Sequence, residues 1–169
     1  VKLPNTRVNI PKYTFYNCTS LKTIEFPATV ENIRECAFYN CDSLENFSFP
    51  DGSNIKTIEQ YAFYDCDALV SLDFAEKDTL LTIGDRAFYG CTAETSLVFM
   101  GTSKCQSIGE SAFENNTSLQ AINLPVSLKT IGKAVFKNCE SAVTLVLSTN
   151  SEFVTISESA FEDCSALIV

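Results

Sequence analysis

The side chains of this 169-residue chain that could do chemistry are eight cysteines, six tyrosines and 21 carboxylates; there is no histidine. Without histidine, no Ser–His or Cys–His pair can activate a nucleophile. Cys18, Cys41, Cys66, Cys91, Cys139 and Cys164 come singly, at least 23 residues apart, whereas zinc sites are built from close pairs. Asp65 and Asp67 carry oxygens of the kind Ca²⁺ takes, but Asp65 falls on a recurring turn position that accounts for it. Gly84, Gly109 and Gly132 each follow an isoleucine at one recurring place, so they do not make a phosphate-binding loop. The carboxylates that can be placed fall on variable outward positions or in turns. Acid–base catalysis needs a buried, convergent group with shifted pKa values. The expectation is a protein that is not an enzyme, with no catalytic residue, cofactor or metal.

A repeat positions these residues. Phenylalanine recurs at Phe15, Phe38, Phe63, Phe88, Phe113, Phe136 and Phe161, at spacings of 23, 25, 25, 25, 23 and 25. A period in this range is the signature of a solenoid. With each Phe as position zero, position −5 is always isoleucine, from Ile10 to Ile156, and position −1 is small or β-branched. A small residue there lets the Phe pack close beneath the next coil. Position +2 is Asn, Asp or Gly throughout, residues that tolerate positive φ, so it predicts a repeated tight turn. Position +5 is only Ser or Ala and is expected in a crowded interior corner. Position +6 is mostly Leu, interrupted by Glu94 and Ala142.

Positions +9 and +11 are apolar, as in Ile24/Phe26, Phe47/Phe49, Leu72/Phe74 and Leu97/Phe99, with a variable residue between. This alternation predicts one short half-buried strand per coil. Pro27, Pro50 and Pro125 follow the strand and end it. Extra residues around Asp51-Gly52, Glu76-Lys77, Gly101-Thr102 and Asn150-Ser151 put the length variation in one loop. A further inward residue follows at Val30, Ile55, Leu80, Cys105, Leu128 and Phe153. No segment has helix-length amphipathic periodicity; the Ala-Phe region has room for one helical or 3₁₀ turn.

Six cysteines share position +3, where the fifth repeat has Asn116. Neighbouring coils bring such positions within the roughly 4.4–6.8 Å Cα separation that a disulfide spans. All of them point the same way, however, and Asn can substitute. A ladder of free, buried thiols is therefore expected. Cys36, at position −2 with Tyr13, Tyr61 and Arg86, is expected to be the most exposed thiol.

The motif Cys-x-x-Leu-x-x-Ile-x-Phe-Pro-x-x-Val-x-x-Ile-x-x-x-Ala-Phe runs from Cys18 to Phe38 and recurs along essentially the whole chain. It resembles the leucine-rich repeat, in its BspA-like (Treponema pallidum-type) subclass. The resemblance implies one right-handed solenoid over residues 1–169, with about seven repeats and short parallel strands on a concave sheet. It also implies a surface or secreted protein, often adhesive toward host proteins.

Two faces are candidates for binding a protein. The concave sheet presents positions +8 and +10, small and mildly acidic, centred on Ser71, Asp73, Ser96 and Val98. The outer side carries a tyrosine column at position +1, Tyr16, Tyr39, Tyr64 and Tyr89, flanked by Tyr13 and Tyr61. Tyrosine is favoured at interfaces, but a ladder packed between coils needs no ligand. A host extracellular-matrix or plasma protein is the expected partner, and a passive spacer is the alternative role. The net charge of −9 argues against nucleic acid. No apolar run has the length of a membrane span. Sequons stand at Asn17, Asn46, Asn115 and Asn116. The chain starts at Val1 without Met and is cut inside a repeat at each end, which reads as a fragment of a longer protein. Cut ends leave strand edges open, so weak end-to-end self-association is expected.

Overall fold

The structure is a computed structural model, and it describes residues 1–4, 9–74, 77–99, 102–147 and 155–168. The chain winds into a parallel β-solenoid in which most complete coils carry two short strands. The isoleucine column forms the longer sheet. Its strands are β1 (Asn9–Ile10), β3 (Asn32–Ile33), β5 (Thr57–Ile58), β7 (Thr82–Ile83), β9 (Ser107–Ile108), β11 (Thr130–Ile131) and β13 (Thr155–Ile156). They pair in parallel in that order, Ile against Ile from Ile10↔Ile33 to Ile131↔Ile156. The alternating +8 to +11 segment forms the opposite, wider side. Its strands are β2 (Thr23–Glu25), β4 (Asn46–Ser48), β6 (Leu72–Phe74), β8 (Ser96–Phe99), β10 (Ala121–Asn123) and β12 (Thr144–Val146). The sequence pattern predicts only this second set. A two-residue strand is too short to show alternation, so the narrow sheet is invisible to periodicity.

Between the sheets lies a stack of rings. Phe15, Phe38, Phe63, Phe88, Phe113, Phe136 and Phe161 lie nearly parallel, with centroids 4.9–5.4 Å apart. The strand spacing of about 4.7–4.9 Å sets this separation. Each Phe N–H donates to the carbonyl of the small residue before the next Phe, as in Phe38 N to Ala62 O and Phe63 N to Ala87 O, both 2.7 Å. Ala37, Ala62, Ala87 and Ala112 are fully buried, so a larger side chain there would hold the coils apart.

The +2 column turns as expected: Asn17, Asn40, Asp65, Gly90, Asn115, Asn138 and Asp163 all have φ between 50° and 73°. A second left-handed column was not legible. Tyr13, Cys36, Tyr61, Arg86, Ser111, Ala134 and Ser159, all at position −2, have φ of 52–59°. These are side chains that resist that region. The coil-to-coil bonds around them, such as Tyr61 N to Asp85 O at 2.9 Å, hold the conformation in place.

Two expectations need correction. Cys36 is 8% exposed: its short side chain stays covered between coils, where the longer Tyr13 in the same column reaches 53% exposure. The +5 column is half-exposed rather than interior, since it ends a turn at the coil's outer corner. Of the loop and inward positions expected, Glu76, Gly101, Asn150-Ser151 and Phe153 lie outside the described residues.

Candidate protein-binding surface

On the wide side, side chains alternate, so +9 and +11 enter the core and +8 and +10 face out. Leu72 and Phe74 are fully buried, and Asp73 between them is exposed. The register sets Asp73 opposite Val98 and Leu72 opposite Leu97. Ser71, Asp73, Ser96 and Val98 therefore share one shallow patch, the first two exposed and the last two half-buried. Asn123 and Val146 continue the row on β10 and β12.

The wide sheet is broken once. β2 pairs with β4, and β6, β8, β10 and β12 form a second run, with no pairing between β4 and β6. No Cα of β4 comes within 8 Å of a Cα of β6. The +9 residue beside the gap is Phe47, where the other strands have Ile24, Leu72, Leu97, Ile122 and Leu145. Its ring leaves the column and stacks on Phe63, at 4.9 Å, and Phe47 is only partly buried. The +11 rings divide at the same place into the stacked pairs Phe26/Phe49, 4.9 Å, and Phe74/Phe99, 5.3 Å. A cavity of about 240 Å³ opens there, lined by Phe47, Ser48, Phe49, Ser71, Asp73 and Lys77.

The tyrosines lie on the turn column, away from the wide sheet. Tyr16, Tyr39, Tyr64 and Tyr89 stack face to face at 5.0, 4.7 and 4.7 Å. Burial between the rings pushes the Tyr64 hydroxyl up to about 12, and it raises Tyr39 and Tyr89 as well. The stack ends on an amide relay: Asn115 Nδ2 donates to Tyr89 Oη at 2.7 Å, and Asn138 Nδ2 donates to Asn115 Oδ1 at 2.7 Å. Arg86 lies over the Tyr61 ring at 5.9 Å and pairs with Glu110. These rings give most of their faces to each other.

The eight cysteines are free. From Cys41 on, the +3 thiols donate to the Phe carbonyl of the preceding coil: Cys41 to Phe15 O and Cys66 to Phe38 O at 3.2 Å, Cys91 to Phe63 O at 3.4 Å, Cys139 to Phe113 O at 3.3 Å and Cys164 to Phe136 O at 3.1 Å. A weak donor of small apolar bulk suits that site. Burial raises the Cys105 thiol to about 12 and holds Cys36 above its ordinary value. Only Cys18 and Cys164, the end members of the ladder, are part-exposed. We predict that a maleimide reagent labels these two first on the folded protein, and all eight in denaturant without reductant. Mass spectrometry counts the adducts. Labelling that requires reductant would contradict a free-thiol ladder.

Two polar residues stand inside the core. Glu94 occupies the leucine column between Leu69 and Leu119, against the expectation that carboxylates lie outward, and is 0% exposed. Its Oε1 accepts from Ser96 N at 2.6 Å, while Oε2 is buried with no partner. Asn116, in the thiol column, is also fully buried, with neither side-chain polar atom bonded. The sequence signal for both is the break in an otherwise apolar column. Among the described residues, no group of three or more His, Cys, Asp or Glu is placed to hold a metal ion.

Stacked parallel coils of 23–25 residues, one buried ring per coil, define a repeat solenoid. The BspA type leucine rich repeat region, in six copies, matches residues 1–102 and 82–168, and the chain belongs to that family. It superposes on the crystal structure of a Treponema pallidum leucine-rich repeat protein with a TM-score of 0.87 and 27% identity, covering 99% of this chain and 77% of that one. A leucine-rich repeat protein from Bacteroides ovatus matches at 0.83 and 30% identity, over 99% of this chain and 44% of that one. The pneumococcal vaccine antigen PcpA matches at 0.61 and 28%, over 82% of this chain and 31% of that one. Among curated proteins none matches the sequence. No helix among the described residues is long and apolar enough to cross a membrane.

Proposed function

We propose that this chain is a non-enzymatic protein-binding module of a cell-surface or secreted protein, and that it docks a host extracellular-matrix or plasma protein across the wide sheet. The observation that carries this reading is the shared register of Ser71, Asp73, Ser96 and Val98, which makes one shallow outward patch on adjacent strands. Solenoids bind through extended surfaces of this kind. The likeness to a vaccine antigen supports an exposed location. The tyrosine column is the second face: Tyr16 is 43% and Tyr13 53% exposed at one end of it. Its central members Tyr39, Tyr64 and Tyr89 serve mainly to hold the coils together.

The test immobilises the chain and screens matrix and plasma proteins for saturable binding. Asp73→Arg with Ser96→Arg is expected to cost at least about 2 kcal/mol of binding, the loss typical of an interface anchor. Tyr39, Tyr64 and Tyr89→Ser should alter stability more than affinity. The net charge of −9 favours a basic partner, whose association rate falls as salt rises. Loss of binding with the tyrosine set alone would move the site to the outer column. No saturable binding by a folded chain would favour the spacer role.

A further inference from the structure

We propose that Lys77 is the recognition point for an acidic side chain of the protein partner: its ammonium, recessed beside the wide sheet, takes one aspartate or glutamate carboxylate that the partner inserts into the cavity between β4 and β6. This rests on the protein-binding reading of the wide sheet and names the chemistry that the face selects.

Lys77 stands where two other coils have proline. Val30 N donates to Pro27 O and Leu128 N to Pro125 O, both at 3.1 Å, and Leu80 N donates to Lys77 O at 3.2 Å in the same turn. The turn is therefore made without a charge, and the fold gives no reason for one. The Lys77 amide also donates to Phe74 O at 3.1 Å, so its backbone is fixed from both sides. The residue is only 6% exposed. The ion pairs among the described residues use Lys12, Lys56, Arg86, Lys133 and Lys137. The lysine ammonium groups that donate hydrogen bonds there are those of Lys12, Lys56 and Lys137. Lys77 instead lines the cavity of about 240 Å³, and its Nζ is not sealed in the core as Glu94 Oε2 is. An ammonium drawn out of water with no counter-charge is costly, and a carboxylate that reaches it forms a charge-assisted hydrogen bond. Ser48 and Ser71 on the same wall add hydroxyl donors, and the rings of Phe47 and Phe49 give an apolar wall for methylene groups. The volume lies below the roughly 300–1,000 Å³ of small-molecule sites and suits one side chain. A chain-terminal carboxylate would bring its backbone into that space, whereas glutamate presents its carboxylate on two methylenes. Asp73, also on the wall, opposes any carboxylate that does not reach the ammonium. In a chain of net charge −9, this position therefore contributes selectivity rather than general attraction.

The test titrates the whole chain with N-acetyl-glutamate N-methylamide and follows the Lys77 side chain and the Ser48 and Ser71 amides by NMR. Saturable shifts at one probe per chain are expected. The glutamine counterpart, which keeps the shape and lacks the charge, should bind about tenfold or more weakly. N-acetylalanine, whose carboxylate is terminal, should also bind more weakly than the glutamate probe. Asp73→Asn should tighten binding of the glutamate probe, the reverse of what a cation site would show. Lys77→Met, which keeps the stem and removes the ammonium, should abolish the shifts at Ser48 and Ser71 at an unchanged melting temperature. No saturable binding of the glutamate probe overturns the proposal. So does equal binding of the glutamine counterpart, which needs no variant protein, or binding retained by a folded Lys77→Met chain. Tighter binding of N-acetylalanine overturns the side-chain assignment. With a whole-protein partner, binding retained by Lys77→Met but lost with Asp73→Arg and Ser96→Arg defeats the lysine site and keeps the sheet face. Binding retained by both defeats the sheet face itself.

Discussion

Phe88→Ala is expected to cost about 3–5 kcal/mol, and Phe161→Ala clearly less. Phe88 is fully buried, with Phe63 at 5.1 Å on one side and Phe113 at 5.4 Å on the other. It also meets the edge of Phe74 at 6.0 Å, so truncation removes contacts in three directions. The coils above and below are each tied to its backbone, which limits collapse into the cavity. Phe161 is only part-buried and stacks on Phe136, at 5.4 Å. Solenoid stability is close to a sum over neighbouring repeats, so position in the stack sets the cost. Urea midpoints of the two variants check this. Equal shifts would contradict a one-dimensional stack.

Glu94→Leu is expected to stabilise the protein by about 3 kcal/mol at pH 8, and the gain should shrink toward pH 4. Burial pushes the Glu94 carboxyl up to about 7 from 4.5, while the Ser96 amide only partly offsets this. The folded chain therefore keeps a proton that the unfolded chain has released. Stability from this group is full below about pH 4.5, falls as pH rises, and is lost above about pH 7. The rise from 4.5 to about 7 corresponds to roughly 3 kcal/mol. Leucine also rejoins the column of Leu69 and Leu119 and removes the unpartnered Oε2. Other carboxylates titrate in the same range, so the readout is the difference between wild type and variant. Glu94→Gln should likewise flatten the slope between pH 4.5 and 7. A slope unchanged by either substitution would show that Glu94 is not held neutral in the core.

The ring stack, the thiol ladder and the +2 turns were legible because each is a column of one residue type at a fixed period. The narrow sheet was not, since Asn32–Ile33 or Thr57–Ile58 alone carries no alternation. The left-handed turns at position −2 were also hidden: Tyr13, Arg86 and Ala134 are there because of bonds between coils, not by local preference. Of the candidate site, the row Ser71, Asp73, Ser96 and Val98 was readable from alternation. The sheet break beside it was not. Its signal was a single residue, Phe47, a ring in a column otherwise filled by Ile and Leu, whose apolar character satisfied the pattern. A ring in an aliphatic column keeps the alternation, so periodicity alone does not show the break.

The most direct test of the proposed docking face is hydrogen exchange of the chain with and without a bound partner from the matrix and plasma screen. Protection is predicted for amides in Ser71–Phe74 and Ser96–Phe99, with little change in the tyrosine turns Ala37–Asn40, Ala62–Asp65 and Ala87–Gly90. Protection confined to those turns, with exchange in β6 and β8 unaltered, would contradict it.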